Sequence, residues 1–430
     1  MYKFKFKPQK VKKINSINRR INTKIPAPGT NKVILNIQKY QNKSMNTQLP
    51  IVWKKAENFS IYDLKDNKFI DFSSTIFVTN IGHSNKEFSK KMSQTINQKL
   101  IHSYIYANKK REEYLKKLIK FCGKNFQKAF LLSSGSEATE AALKLMRMHG
   151  KKINKRRYGI LSFTGNWHGR TVGSQMMSGN FKQQEWIGYK DKDIHYLTFP
   201  YEWELHKKDP IKNLYEDIKN LNKKGIDLKK DICGIIIETF QGWGALFYPK
   251  NYMKKLVSIC KKNNILVTFD EIQAGFGRTG KKFGYQHYNV KPDLICCGKA
   301  MGNGYPISGV LGKKKILDIP NPGEMSSTHS SNPLACAAGI SVLDEINKKK
   351  LVTQSFKKGK ILKRKLNKIK QKNPDLILSV QSKGLIGAII FKNHNNKIGS
   401  YIASKICEKA MQKGLLLVHT SRESIKIGPP

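Results

Sequence analysis

Short apolar runs alternate with amphipathic stretches through the middle of this chain, and polar or charged residues close the apolar runs. Residues 129–133 read as a strand and 137–149 as a helix. Strands follow at 158–163 and 234–238, a helix at 251–262, and strands at 265–270 and 293–297. Strands that are apolar on both faces, separated by helical patterns, predict an α/β domain around a buried, mostly parallel sheet. Ser134, Glu238, Asp270 and Lys299 stand at or just beyond the carboxyl ends of these strands. In open α/β sheets that edge is where ligands bind, so the pattern marks one place for a site.

The flanks read differently. Residues 52–72 predict a small antiparallel sheet with a turn at 64–68. Helices are expected from Asn332 to about 347 and from about 352 to 371, then a strand at 384–391, a helix at 401–413 and a strand at 415–418. The two flanks together read as a smaller α+β domain. The expected division is 1–85 for an N-terminal arm and part of the small domain, 86–325 for the large domain, and 326–430 for the rest of the small domain. A chain of 430 residues, 39% hydrophobic, suits one large unit or two joined domains better than a string of modules.

The formal net charge is +50. A nucleic-acid or anionic-surface binder would carry such a charge. Here the lysines are spread along the whole chain, with no nucleic-acid motif and no interleaved aromatic platform, which favours a surface generally rich in lysine. No specific nucleic-acid partner and no membrane are expected, since no run approaches the roughly 18 apolar residues of a spanning helix. The 7 cysteines (Cys122, Cys233, Cys260, Cys296, Cys297, Cys336 and Cys407) are widely spaced and odd in number. That suits buried, reduced thiols in the cytoplasm rather than disulfides or a metal site. The first 24 residues contain no acid and many lysines. They lack the apolar core of a secretory signal and are expected to form an arm that packs on a partner subunit or stays disordered.

Four fragments carry chemistry. Lys299 lies between an apolar strand and a glycine-rich loop, where burial would turn a lysine into an imine-forming amine; a surface lysine at a turn is the plainer alternative. Asp270 ends a buried strand, where a carboxylate needs a cationic partner; helix capping is its alternative use. The turn at Ser134, Gly135 and Ser136 opens a helix and offers backbone amides to an anion, although capping alone also explains it. Trp167 and His168 precede Gly169, and Trp167 could equally stack on a planar ring or pack as a buried loop residue.

Together these runs resemble the class III aminotransferases, a branch of the pyridoxal-phosphate enzymes of fold type I. The matching runs are LLSSGSEATEAALKLMR (131–147), NWHGRT (166–171), ETFQGWGA (238–245), TFDEIQAGFGRTG (268–280), CGKAMGNGYPISGVLG (297–312) and SSTHSSNPLACAAG (326–339). The opening run PIVWKKAENFSIYDLKDNKFIDFSS (50–74), followed by NIGHSN (80–85), is similar to the family's N-terminal part.

The resemblance implies a fold type I enzyme that moves an amino group from an amino acid or primary amine to a 2-oxo acid. Lys299 would hold the cofactor, pyridoxal 5'-phosphate, as a Schiff base and shuttle the proton. Asp270 would pair with the pyridine nitrogen, Gln273 lie near the phenolic oxygen, and Trp167 stack on the ring with His168 beside it. Gly135 and Ser136 would hold the phosphate, with Glu238 near the site. Thr328 would reach the phosphate of a neighbouring subunit, which implies a homodimer with shared sites. Another pyridoxal-phosphate reaction, such as an aminomutase or decarboxylase, stays open, as does a basic binding protein on an inactive scaffold.

Three departures from the family stand out. Trp243 occupies the place of a glutamate that shields a carboxylate-binding arginine in many members, and Lys426 occupies the place of that arginine. Lysine offers no planar two-pronged grip on a carboxylate, so Trp243 and Lys426 are expected to bind substrate in an altered way. The family also continues past Pro429-Pro430, so a truncated small domain is expected.

Overall fold

The computed structural model describes residues 2–45, 48–205, 209–394 and 397–430. The chain forms two compact units, one of Met1–Lys86, Trp243–Ala245 and Gln354–Pro430, the other of Glu87–Gly242 and Leu246–Thr353. No helix among the described residues is long and apolar enough to cross a membrane.

The larger unit is built on seven strands: β1 (Lys128–Leu132), β2 (Gly159–Phe163), β3 (Ile194–Leu197), β4 (Ile232–Glu238), β5 (Leu266–Asp270), β6 (Leu294–Cys297) and β7 (Ser308–Gly312). Their order is β1-β7-β6-β5-β4-β2-β3. β5 lies parallel to β4 and β6, and β2 lies parallel to β4 and β3. β7 alone runs against its neighbours β6 and β1. Every residue of β2, β4, β5, β6 and β7 is buried, as a sheet covered on both faces requires. The register sets Asp270 beside Glu238 on one side and Cys296 on the other, so two acids arrive together at the carboxyl edge.

Helix α1 (Gly135–Ile153) begins on a capping box. The Ser134 hydroxyl accepts from the Glu137 amide, and the Glu137 carboxylate accepts from the Ser134 amide, which satisfies two end donors reciprocally. The buried face of α1, including Ala138, Ala142, Leu145 and Met146, packs with Ile160, Ile236, Leu294 and Val310 from the sheet.

The helix Pro333–Lys348 belongs to this larger unit, so the expected boundary at 325 is corrected to about 353. The helix is buried without a break from Pro333 to Leu343, and a Cβ on Gly339 would lie 2.3 Å from the ring of Tyr114 in the helix Lys109–Cys122. A helix apolar all round sits inside a core, and this core is the large unit's.

The smaller unit holds the predicted antiparallel strands Trp53–Glu57, Ser60–Asp63 and Lys68–Asp71. The turn between the last two closes on Asp63, whose Oδ1 accepts from the amides of Lys65 at 2.9 Å and Asn67 at 3.0 Å, an Asx-type arrangement. A second antiparallel sheet combines Ile377–Lys383, Ile386–Phe391, Ser424–Ile427 and Val418–His419.

The basic N-terminal segment packs on its own chain, which corrects the expectation of a disordered tail. Ile14–Asn15 pairs with Arg20–Ile21, Arg20 pairs with Lys68, and Glu408 accepts from the Tyr2 hydroxyl at 2.6 Å and the Lys5 amide at 2.8 Å. Ile21 and Ile25 are buried in the small unit's core, with Phe4, Val11 and Ile14 against it. Apolar residues set among the lysines decide the outcome.

Candidate active site

At the carboxyl edge of the large sheet lies a cavity of about 190 Å³ lined by Gly135, Ser136, Trp167, His168, Gly169, Glu238, Thr239, Phe240, Asp270, Ile272, Gln273, Ala274 and Lys299. Eight of the sequence-predicted residues are therefore brought together: Gly135, Ser136, Trp167, His168, Glu238, Asp270, Gln273 and Lys299.

Asp270 closes β5 and is buried. Its Oδ1 accepts from the Ile272 amide at 3.0 Å, and its Oδ2 accepts from His168 Nδ1 at 2.9 Å. An ionised carboxylate only accepts, so Nδ1 carries the hydrogen. The histidine is itself fixed on every side. Its amide donates to Ser178 Oγ at 2.8 Å, its carbonyl accepts from Thr139 Oγ1 at 2.8 Å, and its Nε2 lies 3.4 Å from Asn166 Nδ2. A carboxylate braced in this way presents its remaining lone pairs in a fixed direction, as a polar site needs.

Glu238 closes β4 and acts on backbone. Its two oxygens accept from the amides of Trp167 at 2.8 Å and Gly242 at 3.1 Å. A Cβ at position 242 would come within 2.9 Å of Glu238 Oε1, so glycine there leaves the carboxylate its present place.

Lys299 follows β6 in the left-handed region, at φ 44°, a conformation non-glycine residues rarely hold. Burial pushes its ammonium's proton affinity below that of an ordinary lysine, while the charges of Asp270 and Glu238 act in the opposite sense. This is the desolvated amine that imine chemistry requires.

The first turn of α1 meets the same cavity through Gly135 and Ser136. The capping box engages the amides of Ser134 and Glu137, leaving those of Gly135 and Ser136 between them at the positive end of the helix dipole. Gly169 has φ 148°, and a Cβ there would lie 2.4 Å from Ser136 Oγ. Trp167 is 36% exposed, and the Arg170 guanidinium stacks 4.6 Å from its ring centroid.

Thr328 does not line the cavity; its carbonyl faces His102 Nε2 at 2.8 Å. Trp243 and Lys426 fall in the smaller unit. There the Arg422 guanidinium lies 3.8 Å over the Trp243 ring, and Ser424 Oγ donates to the Trp243 carbonyl at 2.6 Å. Lys426 is only 4% exposed, with its Nζ 4.2 Å from the Phe77 ring centroid.

Several contributors escaped sequence reasoning. Asn166, Thr139 and Ser178 orient His168, and Thr239 lines the cavity. Arg170 stood in a quoted run, but nothing in the sequence tied its side chain to Trp167.

This donor set fits a flat anionic cofactor with a basic ring nitrogen and an aldehyde. An amine and a buried carboxylate face one cavity, a helix start offers amides for a phosphate, and Gly169 and Gly242 leave room where a Cβ would intrude. Fold and cavity together define a pyridoxal-phosphate-dependent enzyme of fold type I. The family model described as aminotransferase class-III matches residues 40–430. The chain is 33% identical over 409 residues to the mitochondrial acetylornithine aminotransferase of Candida glabrata, covering 93% of this chain and 90% of that one. It is also 33% identical to the acetylornithine aminotransferase of Prochlorococcus marinus, over 89% of this chain and 88% of that one. The solved ornithine aminotransferase of Toxoplasma gondii superposes with a TM-score of 0.82 at 22% identity, over 93% of this chain and 90% of that chain, and shows the shared fold. The chain belongs to the class III aminotransferases, and its cofactor is pyridoxal 5'-phosphate.

Proposed function

We propose that this aminotransferase takes its amino group from the end of a carbon chain, in a donor of the acetylornithine or ornithine class, and passes it to a 2-oxo acid. The relatives' names support the donor class. The observation that carries the residue roles is the meeting of Lys299, Asp270, Trp167 and the Gly135–Ser136 turn around one cavity.

Pyridoxal phosphate, when bound, supplies an electron sink that lets the substrate carbon shed a proton. Asp270, braced by His168, would hold the proton on the ring nitrogen. Gly135 and Ser136 would receive the phosphate, Trp167 would cover the ring and Gln273 would sit beside the phenolic oxygen. Lys299 would hold the cofactor covalently, and its free amine would carry the proton from the substrate carbon to the cofactor's aldehyde-derived carbon, a task for which a desolvated amine is suited. Glu238 keeps the Trp167 and Gly242 amides in place. Arg170, exposed and stacked on Trp167, is proposed to meet a substrate carboxylate.

Thr328 is proposed to serve a second copy of the chain in a homodimer. The segment linked to it through His102 exposes Leu100, Ile101, Ile105 and Tyr106 at 46%, 55%, 68% and 77%, an apolar surface suited to burial between subunits. Seven free and buried cysteines support a reducing compartment such as the cytoplasm.

Trp243 and Lys426 are proposed to set substrate preference. With Lys426 engaged on Phe77, a two-pronged carboxylate grip at that position is absent. Trp243→Ala is expected to change the ratio of kcat/KM between acetylornithine and ornithine by about tenfold, the scale of one large apolar contact. An unchanged ratio would remove Trp243 from substrate choice. The function itself is tested by assaying both donors, and a panel of amines, against pyruvate and 2-oxoglutarate. Transfer from none of them would defeat the proposed donor and acceptor classes.

A further inference from the structure

Beside Asp270 stands a second buried carboxylate that the cofactor chemistry does not call on. Glu271 is fully buried and is not among the residues lining the cavity. Its backbone is held at both ends. The amide donates to the Cys296 carbonyl at 2.9 Å, and the carbonyl accepts from the Gly275 amide at 2.8 Å. Its side chain accepts three neutral donors. Oε1 takes the Thr239 hydroxyl at 2.7 Å and the Tyr285 amide at 2.6 Å, and Oε2 takes the Gly284 amide at 2.7 Å.

Donors on both oxygens call for a group that only accepts, which is an ionised carboxylate. An amide in its place would turn its own N–H groups toward a donor. Charge held by neutral donors alone is costly inside a protein. Burial pushes this carboxyl up to about 7, the three hydrogen bonds pull the other way, and the Asp270 charge adds to the rise.

What the carboxylate joins is the wall of the cavity. Asp270 precedes Glu271 and Ile272, Gln273 and Ala274 follow it; all four line the cavity, and so does Thr239. Thr239 is tied to the same place twice, since its amide also donates to the Asp270 carbonyl at 3.3 Å. The segment that supplies Gly284 has no slack. A Cβ on Gly284 would come within 2.5 Å of Thr239 Cγ2 and 2.9 Å of Ala274 Cβ. One buried side chain therefore ties together three chain segments, two of which, at Thr239 and at 270–274, line one side of the site.

We propose that Glu271 is a positioning residue whose ionised carboxylate sets the placement of Asp270 and of the Thr239 wall against the cofactor. The proposal rests on the reading of Asp270 as the partner of the ring nitrogen. The titratable groups that face Glu271 are Asp270 just before it at the end of β5, Tyr285 and Tyr288 from the turn Gly284–Tyr288, and Cys297 from β6. Tyr285, Tyr288 and Cys297 are each pushed upward, away from neutrality. A transition near pH 7 in this cluster therefore reports on Glu271.

The test is titration of the cofactor-free protein with pyridoxal phosphate, followed by absorbance between pH 5.5 and 8.5, for the wild type, Glu271→Gln and Glu271→Asp. Wild-type affinity is expected to rise through a midpoint near 7 as the carboxylate ionises. Glu271→Gln is expected to weaken binding at pH 8 about tenfold, the scale of losing a buried hydrogen bond to a charged group, and to flatten the curve. Its kcat falls while KM stays within a few-fold. Glu271→Asp keeps the charge on a shorter arm and is expected to retain the midpoint with weaker binding.

Wild-type-like affinity and pH dependence in Glu271→Gln overturn the proposal. So does a loss of thermal stability that leaves the binding curve unmoved, since that is a purely structural role. Should Glu271→Gln fail to fold, Thr239→Val decides. It deletes one of the three donors and keeps the charge, so the midpoint is expected above 7, and an unmoved midpoint overturns the proposal. A wild type that binds no pyridoxal phosphate would instead defeat the reading of the site itself.

Discussion

Lys299→Ala is expected to lower transamination by about four orders of magnitude, the upper range for loss of a positioned acid–base group, and to abolish covalent attachment of the cofactor. On the proposed assignment one nitrogen performs both functions, anchoring the cofactor and moving the proton, so both fall together. The same substitution is expected to raise the thermal stability of the cofactor-free protein at neutral pH. Burial holds the Lys299 ammonium below the usual lysine range, so its charged form is a liability to the fold until the cofactor engages it. The unfolded chain retains the ordinary value. Stability contributed at this position therefore rises with pH between the lowered folded value and the ordinary one. The left-handed backbone at Lys299 adds strain that alanine does not relieve, so any gain comes from the charge. The check is a pair of measurements, melting curves without cofactor at pH 7 and turnover with it. Turnover within tenfold of wild type would remove Lys299 from the chemistry, and a lower melting temperature would remove the desolvation argument.

Much of the large unit was legible because a parallel sheet buried on both faces writes itself as apolar runs. The strands ending at Phe163, Glu238, Asp270 and Cys297 fall at the predicted ends. What was missed obeys other rules. Ile194–Leu197 lies at the edge of its sheet, with His195 and Tyr196 only partly buried, and forms no continuous run. In Ser308–Gly312, which runs antiparallel to its neighbours, three of five residues are glycine or serine, so it forms no apolar run. The helix Pro333–Lys348 was found, but its apolar sequence does not say which core receives it. The site was legible as a set of strand-end residues, and the contacts among them were not. His168 and Asp270 are 102 positions apart, and no local pattern joins them. Glu271 left a faint signal: adjacent residues of a strand point to opposite sides, so two consecutive acids at a strand end cannot both face one cavity.

Asp270→Asn is expected to cut kcat by about 10²- to 10³-fold, the scale of breaking one buried charge pair. The substitution changes almost no volume, and the asparagine oxygen still accepts from the Ile272 amide, so the fold around β5 is retained. Two electrical changes follow. On the proposed assignment the ring nitrogen would lose the anion that keeps it protonated, and with it most of the cofactor's capacity to accept electrons. His168 loses a partner that only accepts, and its Nδ1 hydrogen meets either an amide oxygen or, with the side chain turned, an amide N–H. The buried neighbour responds as well. The Asp270 charge is one of the causes holding Glu271 up near 7, so its removal moves the Glu271 transition to lower pH. Steady-state kinetics and the cofactor titration curve separate these effects, because one reads electron withdrawal and the other reads the wall of the cavity. If Asp270→Asn turned over within a few-fold of wild type, the ring nitrogen would have to be held by another group, and the assignment built on the end of β5 would fail.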